Sequence, residues 1–83
     1  MILKDLTFEK VYDGVQAQAA FDNGYEISLV KHSGSYGGSN GLYELGVFGS
    51  NGQMCDPLGW GDDVKGWLTL EDAEKELQLI KAL

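Results

Sequence analysis

Few residues in this sequence could carry covalent or metal chemistry. His32 is the only histidine and Cys55 the only cysteine, so a zinc-type cluster of both ligand types cannot be assembled. Ser33 or Ser35 could formally join His32 and a carboxylate, but neighbouring strand residues point to opposite faces and no nucleophile elbow is present. Cys55 has no activating base beside it and is interpreted as a small buried hydrophobe. We therefore predict a protein without enzymatic activity and without a cofactor.

Carboxylates are concentrated late in the chain. The stretch Asp56–Glu76 contains seven acids and two lysines. Asp56, Asp62 and Asp63 lack the alternating ligands, central glycine and closing glutamate of a calcium loop, so no metal site is predicted. Two interpretations remain: a solvated face, or a docking surface for a basic protein, because charge of one sign favours partners of the other.

Both tryptophans lie within this acidic stretch. One is expected in the core, and the other, if exposed, would be an aromatic anchor ringed by carboxylates, as in interface hot spots. The candidate partner-binding residues are the tyrosine of a glycine-rich segment, one tryptophan and the late acids: Tyr36, Trp60, Asp56, Asp62, Asp63, Glu71, Asp72 and Glu74.

The segment Ser33–Gly41 reads SGSYGGSNG, with four glycines and three serines. A phosphate-binding loop would require a following lysine and a helix, whereas Gly41 is followed by a segment that alternates like a strand. Two interpretations stay open. The segment is either a long hairpin connection or a recognition loop, since tyrosine among Ser, Gly and Asn is typical of adaptable contact loops.

Composition narrows the classes of partner. The formal net charge is −7 over 83 residues, which disfavours nucleic acid and anionic membrane surfaces. No apolar run is long enough to span a membrane, and Lys4 and Asp5 interrupt any apolar signal-peptide core. The length predicts one domain, residues 1–83, and the default location is the cytoplasm.

The elements that would position these residues begin with strands. Alternating polarity predicts a strand in Leu6–Asp13, then Val15–Phe21, Tyr25–His32 and Leu42–Phe48, followed by a short strand in Gln53–Asp56. Asp22-Asn23-Gly24 is predicted to be a three-residue turn with a left-handed glycine. In that register Phe21 faces Tyr25, Ala19 faces Ile27 and Ala17 faces Leu29, which keeps apolar residues on one face.

Thr69 is predicted to cap a C-terminal helix, with Asp72 at its third position. Asp62 or Asp63 is predicted to cap a short helical turn through Trp67. In the C-terminal helix the apolar residues that recur at helical spacing and are expected to face the core are Leu70, Ala73, Leu77 and Ile80. The predicted fold class is α+β: an antiparallel meander of about four strands, one face of which is covered by this helix.

Three phrases of the sequence carry a resemblance to a known group of proteins. They are NGY at Asn23–Tyr25, SYGGSNGLYEL at Ser35–Leu45 and DDVKGWLTLEDAEK at Asp62–Lys75. From Gly14 onward the chain resembles small uncharacterised acidic proteins of tailed bacteriophages and prophages. The resemblance implies action in the cytoplasm of an infected bacterium, where such proteins often bind and disable host machinery, including nucleic-acid-binding defence enzymes.

These observations lead to two expectations about function. The first is a non-enzymatic module that binds a protein, which could be basic, and binds neither nucleic acid nor membrane. The alternative is an assembly protein that forms a symmetric oligomer or a virion component through exposed edge strands.

Overall fold

The computed structural model describes the whole chain, residues 1–83. It contains six strands and one α-helix, with 3₁₀ turns at Leu3–Asp5 and Gly38–Asn40. In chain order the elements are β1 (Glu9–Val11), β2 (Gly14–Ala20), β3 (Glu26–Lys31), β4 (Tyr43–Phe48), β5 (Met54–Cys55), β6 (Val64–Leu68) and α1 (Leu70–Lys81).

All six strands belong to one antiparallel sheet. Strands β1 to β4 are neighbours in chain order, and β5 and β6 both pair with the other edge of β4. The sheet with a C-terminal helix confirms the α+β class. The predicted number of about four strands is too low: β1 lies within the predicted strand Leu6–Asp13, and the strand that the prediction lacks is β6, which pairs with β4.

Strand β6 replaces the predicted helical turn between Asp62 and Trp67. Its Val64 lies opposite Gly46 and its Leu68 opposite Tyr43, so the strand supplies hydrogen-bond partners along the edge of β4. The segment contains Gly66, which weakens a helix by about 1 kcal/mol relative to alanine. The expectation of a short helix there is therefore wrong, and the segment forms an extended strand along β4.

The register of the β2–β3 hairpin is confirmed. Ala19 lies opposite Ile27 and Ala17 opposite Leu29. Gly24 has φ of 90°, the left-handed conformation that glycine adopts without steric cost. A register shift of one residue would have moved the apolar set of one strand to the opposite face of the sheet.

The core lies between α1 and one face of the sheet. Ile27, Leu29, Leu45 and Val47 of β3 and β4 are almost fully buried. The helix contributes its predicted apolar stripe, in which Ala73, Leu77 and Ile80 are buried while Leu70 is 45% exposed. Thr69 caps the helix as predicted, since its Oγ1 accepts the N–H of Asp72 at 3.0 Å.

Side-chain hydrogen bonds fasten α1 to the rest of the molecule. The Glu74 carboxylate accepts the N–H groups of Ile2 and Leu3 at 3.0 and 2.8 Å. At the other end, Nδ2 of Asn23 donates to the carbonyl of Ile80 at 2.8 Å. The helix therefore runs from the end of β6 to the β2–β3 turn. It has twelve residues, and no helix of the protein combines the length and apolar character needed to cross a membrane.

Candidate functional site

The glycine-rich loop after β3 is held in place by its own side chains. The N–H of His32 donates to Oγ of Ser35 at 3.0 Å, and that hydroxyl donates to the carbonyl of His32 at 2.9 Å. The Nδ1 atom of His32 accepts the N–H of Gly34 at 3.0 Å. Ser35 is buried, so this hydroxyl is a structural group of the loop.

The loop folds back over the sheet at Tyr36. The Tyr36 N–H donates to Oε2 of Glu44 at 3.0 Å, and the Tyr36 carbonyl accepts the N–H of Trp67 at 3.2 Å. A Cβ atom on Gly66 would lie 2.3 Å from Cβ of Tyr36. The loop can dock at this position only because residue 66 has no side chain.

A β-bulge in β6 turns Trp67 outward. Leu68 pairs with Tyr43 and Lys65 with Leu45, so Gly66 and Trp67 together lie opposite one residue of β4. Trp67 has φ of 59°, a left-handed conformation that is unfavourable for a bulky residue. Its side chain is 59% exposed, the same fraction as Tyr36. A groove of about 230 Å³ separates Trp67 from the loop.

A second strained aromatic lies at the same end of the sheet. Tyr12, in the β1–β2 turn, has φ of 51° and is 86% exposed. Its ring meets the His32 ring edge-on at 5.3 Å between centroids. Oδ1 of Asp13 accepts the N–H of Ser33 at 3.0 Å, which joins the turn to the loop.

The starts of β2 and β4 and the ends of β3 and β6 meet at this end of the sheet. We call the four ring-bearing residues at this end of the sheet the aromatic rim; they are Tyr12, His32, Tyr36 and Trp67. Both non-glycine residues with positive φ belong to it. Backbone strain of this kind is found where the surrounding structure holds a residue in place, often at functional sites.

One face of the sheet carries no helix. Strand residues alternate between faces, and the buried Ala17, Leu29 and Leu45 mark the face that packs on α1. On the opposite face, the open face, Met54 lies over Gly46 and the loop lies over Gly66. Its other strand residues are Glu9, Val11, Gln16, Gln18, Ala20, Glu26, Ser28, Val30, Glu44, Phe48 and Val64.

The strand charges divide between the two faces by sign. The charged strand residues of the open face are glutamates only: Glu9, Glu26 and Glu44. The strand lysines lie on the face of α1, as their cross-strand partners show: Lys10, Lys31 and Lys65. The ion pairs Lys65–Glu76 and Lys75–Glu71 do not involve the open face. Its glutamates therefore have no cationic partner within the protein.

Two of the acids predicted to bind a partner already bind backbone donors of residues distant by four or more positions in the chain. Asp56 accepts the N–H groups of Trp60 and Gly61 at 2.7 and 2.8 Å. The bond from Trp60 is the main cause of a lowered pKa at Asp56. Burial acts to raise the pKa of Glu74, but its bonds from Ile2 and Leu3 outweigh that effect and lower it. Both carboxylates thus stabilise the fold.

The structure places the two tryptophans in different environments. Trp60 is half-buried against the core, and its Nε1 donates to Oε2 of Glu76 at 3.4 Å. Trp67 is the more exposed ring. Trp67, and not the predicted candidate Trp60, therefore has the exposure expected of an aromatic anchor.

The remaining predicted acids form two separate groups. Asp62 and Asp63 are exposed just before β6, and Asp63, the nearer of the two, lies roughly 13 Å along the strand from Trp67 at 3.3 Å per residue. Glu71 and Asp72 are exposed in the first turn of α1, directly after the end of β6. Only this second group shares an end of the sheet with Tyr36.

Four residues of this site were absent from the predicted partner-binding set: Tyr12, His32, Glu44 and Trp67. For Tyr12 a signal existed, because Asp13-Gly14 is a turn dipeptide that places the preceding residue at a hairpin tip. Glu44 and Trp67 depend on the bulge, which only the pairing of β4 with β6 reveals.

The structure shows no candidate metal site. Cys55 is half-buried and packs against the core, and no group of three His, Cys, Asp or Glu side chains is arranged to hold a metal ion. Comparison with protein-family models, with curated proteins and with solved structures finds no match to this chain.

Proposed function

We propose that this protein is a non-enzymatic, phage-encoded module that binds a host protein in the bacterial cytoplasm. The observation that carries the proposal is the exposure of Trp67 beside Tyr36 on a strained bulge. Folding alone gains nothing from holding a tryptophan in a left-handed conformation and leaving its ring in water. Large exposed aromatic rings on an ordered scaffold are the usual anchors of protein interfaces.

The loop composition supports the same proposal. Tyrosine supplies a rigid contact surface, and serine, glycine and asparagine supply adaptable hydrogen bonds. The loop is already ordered by its bonds to Glu44 and Trp67, so a partner would not have to pay the entropy of ordering it. The nature of the disabled host protein, a defence or nucleic-acid-binding enzyme, follows only from the resemblance to phage proteins.

Affinity capture from bacterial lysate tests the proposal. The tagged protein and its Trp67→Gly variant are compared at low salt, because glycine removes the ring and accepts the positive φ without strain. We expect a partner that the native protein retains and the variant loses. Capture of no protein, or equal capture by both, contradicts the proposal. Circular dichroism confirms that the variant is folded.

The alternative is an assembly protein, and the observation that favours it is the free outer edge of β1. This strand pairs only with β2 and leaves one edge open to a second copy. Light scattering after size-exclusion chromatography decides it. A monomer at all concentrations contradicts assembly, whereas a dimer that Lys10→Pro abolishes supports it.

A further inference from the structure

The corner formed by Tyr36, Glu44 and Trp67 has the chemistry to recognise a particular side chain. We propose that it binds an arginine of the partner protein, with the guanidinium plane on the exposed ring of Trp67 or Tyr36 and its charge opposite Glu44. This inference rests on the proposed protein-binding function and adds the kind of partner segment that docks.

The charge of the open face is the first property that favours a cationic side chain. Its charged strand residues are glutamates, and neither ion pair of the protein neutralises them. A cationic segment would be attracted to this face, and the net charge of −7 reinforces the attraction. A second copy of the chain docked through its own open face would set glutamates against glutamates, and nucleic acid would bring further negative charge.

The two aromatic rings of the corner also favour a cation. Tryptophan is the best partner for a cation above an aromatic face, and tyrosine also serves. Both rings at the corner are 59% exposed, so each has surface free for a ligand. The protein already makes this contact internally, since Nζ of Lys31 lies 5.1 Å from the ring centroid of Tyr43.

The carboxylate of Glu44 adds a hydrogen-bond acceptor for the side chain of the partner. Its Oε2 accepts the N–H of Tyr36 at 3.0 Å, and its Oε1 has no hydrogen bond within the protein. An arginine combines a planar face that stacks on a ring with several N–H donors for a carboxylate. Lysine offers a point charge without the plane, so arginine is the better fit for a corner of rings and one carboxylate.

The experiment titrates the isotopically labelled native protein with three short synthetic peptides and follows amide and indole signals by NMR. The peptides are alike except for one central residue, which is arginine, lysine or the uncharged arginine analogue citrulline. The Trp60 indole is an internal reference, because it is half-buried and bonded to Glu76.

The matched variants are Glu44→Gln and Glu26→Gln. Glutamine at 44 keeps an acceptor for the Tyr36 N–H and removes only the charge. Glu26 lies on the same open face but near the other end of the sheet, opposite Phe48. Because each variant loses one carboxylate, Glu26→Gln and Glu44→Gln have the same net charge. We expect the arginine peptide to shift the Trp67 indole and Tyr36 amide signals, and to bind about fivefold more weakly to Glu44→Gln.

Several results would overturn the inference. Equal binding of the citrulline peptide would show that charge is not recognised, and equal weakening by Glu26→Gln would show attraction without a defined corner. Binding of a single-stranded oligothymidine at the same signals, or a dimer in light scattering that masks them, would assign the face to another occupant.

The inference and the proposed function can fail separately. If no arginine peptide binds while the native protein still captures a lysate partner that Trp67→Gly loses, only the arginine assignment is wrong. If neither peptide nor lysate partner binds, both are wrong.

Discussion

The backbone of Trp67 adopts a conformation that the sequence pattern does not predict. Its left-handed φ of 59° is a conformation that favours glycine. The bulge opposite Glu44 and the bond from its N–H to Tyr36 hold it there. The unfavourable conformation at this residue is therefore offset by the elements around it.

This strain makes an unusual order of stabilities among variants. In an ordinary strand glycine is less stable than alanine, but at position 67 we expect Trp67→Gly to be more stable than Trp67→Ala by about 1 kcal/mol. Both variants lose the ring, so the comparison isolates the backbone conformation. Urea unfolding measures it, and alanine equal to or better than glycine would contradict the strained bulge.

Glu74 is the residue that links pH to the stability of the N-terminus. Its pKa is lowered from the ordinary value of 4.5, so the ionised form is favoured in the folded protein. The contribution is fully present above about pH 4.5 and is lost as the pH falls through the lower folded value.

We expect Glu74→Gln to be less stable than the native protein at pH 7 by about 1 kcal/mol, since charged acceptors make the stronger bonds to N–H groups. The difference should shrink as the pH falls below 4.5. Glu71→Gln is the control, because the Glu71 side chain is 84% exposed. Denaturant unfolding across the pH range provides the measurement, and a difference independent of pH would refute this role.

At the scale of elements, the glycine-rich loop and β6 depend on each other. The loop supplies the carbonyl of Tyr36 to the Trp67 N–H, and β6 supplies the space above Gly66. Neither half of this contact is visible in a segment taken alone.

Adding one methyl group at Gly66 should separate the two elements. The new Cβ would meet Cβ of Tyr36 at 2.3 Å, and relief of such a clash costs about 1–3 kcal/mol. We expect Gly66→Ala to lose hydrogen-exchange protection at the Trp67 amide. Gly41→Ala is the control, because nothing lies within 4 Å of its added Cβ although its φ is 78°. It should lose stability without losing that protection.

The helical turn that was expected before α1 illustrates why local signals mislead. Asp62 and Asp63 are good helix caps, but β4 has an edge that a short helix cannot satisfy. Pairing with Tyr43–Gly46 decides the conformation of Val64–Leu68. A contact between strands distant in sequence thus overrides a local preference.

At the scale of the molecule, the arrangement of charge matters more than its sum. The net charge of −7 is visible in the sequence, but the sheet places its strand lysines on the side of α1 and its strand glutamates on the other. The open face is consequently more negative than a uniform distribution would make it, which favours a cationic partner.

Salt should therefore weaken partner capture. Raising sodium chloride from about 0.1 to 1 M shortens the screening length from roughly 10 to 3 Å. We expect association of the captured partner to slow by about tenfold or more, measured by surface plasmon resonance. The Glu44→Gln variant should show a shallower salt dependence than the native protein. A rate that is independent of salt would contradict charge-guided docking.

The sequence by itself determined the features that depend on neighbours along the chain. Alternation and the Asp22-Asn23-Gly24 turn predicted the β2–β3 register, and Thr69 with the apolar stripe predicted α1, because hydrogen bonds and burial there follow local periodicity. The tertiary structure alone decided β6, the bulge, the greater exposure of Trp67 than of Trp60, and the separation of charge between faces. These features arise from pairing between distant strands, and the free energy of that pairing is not encoded in any single segment.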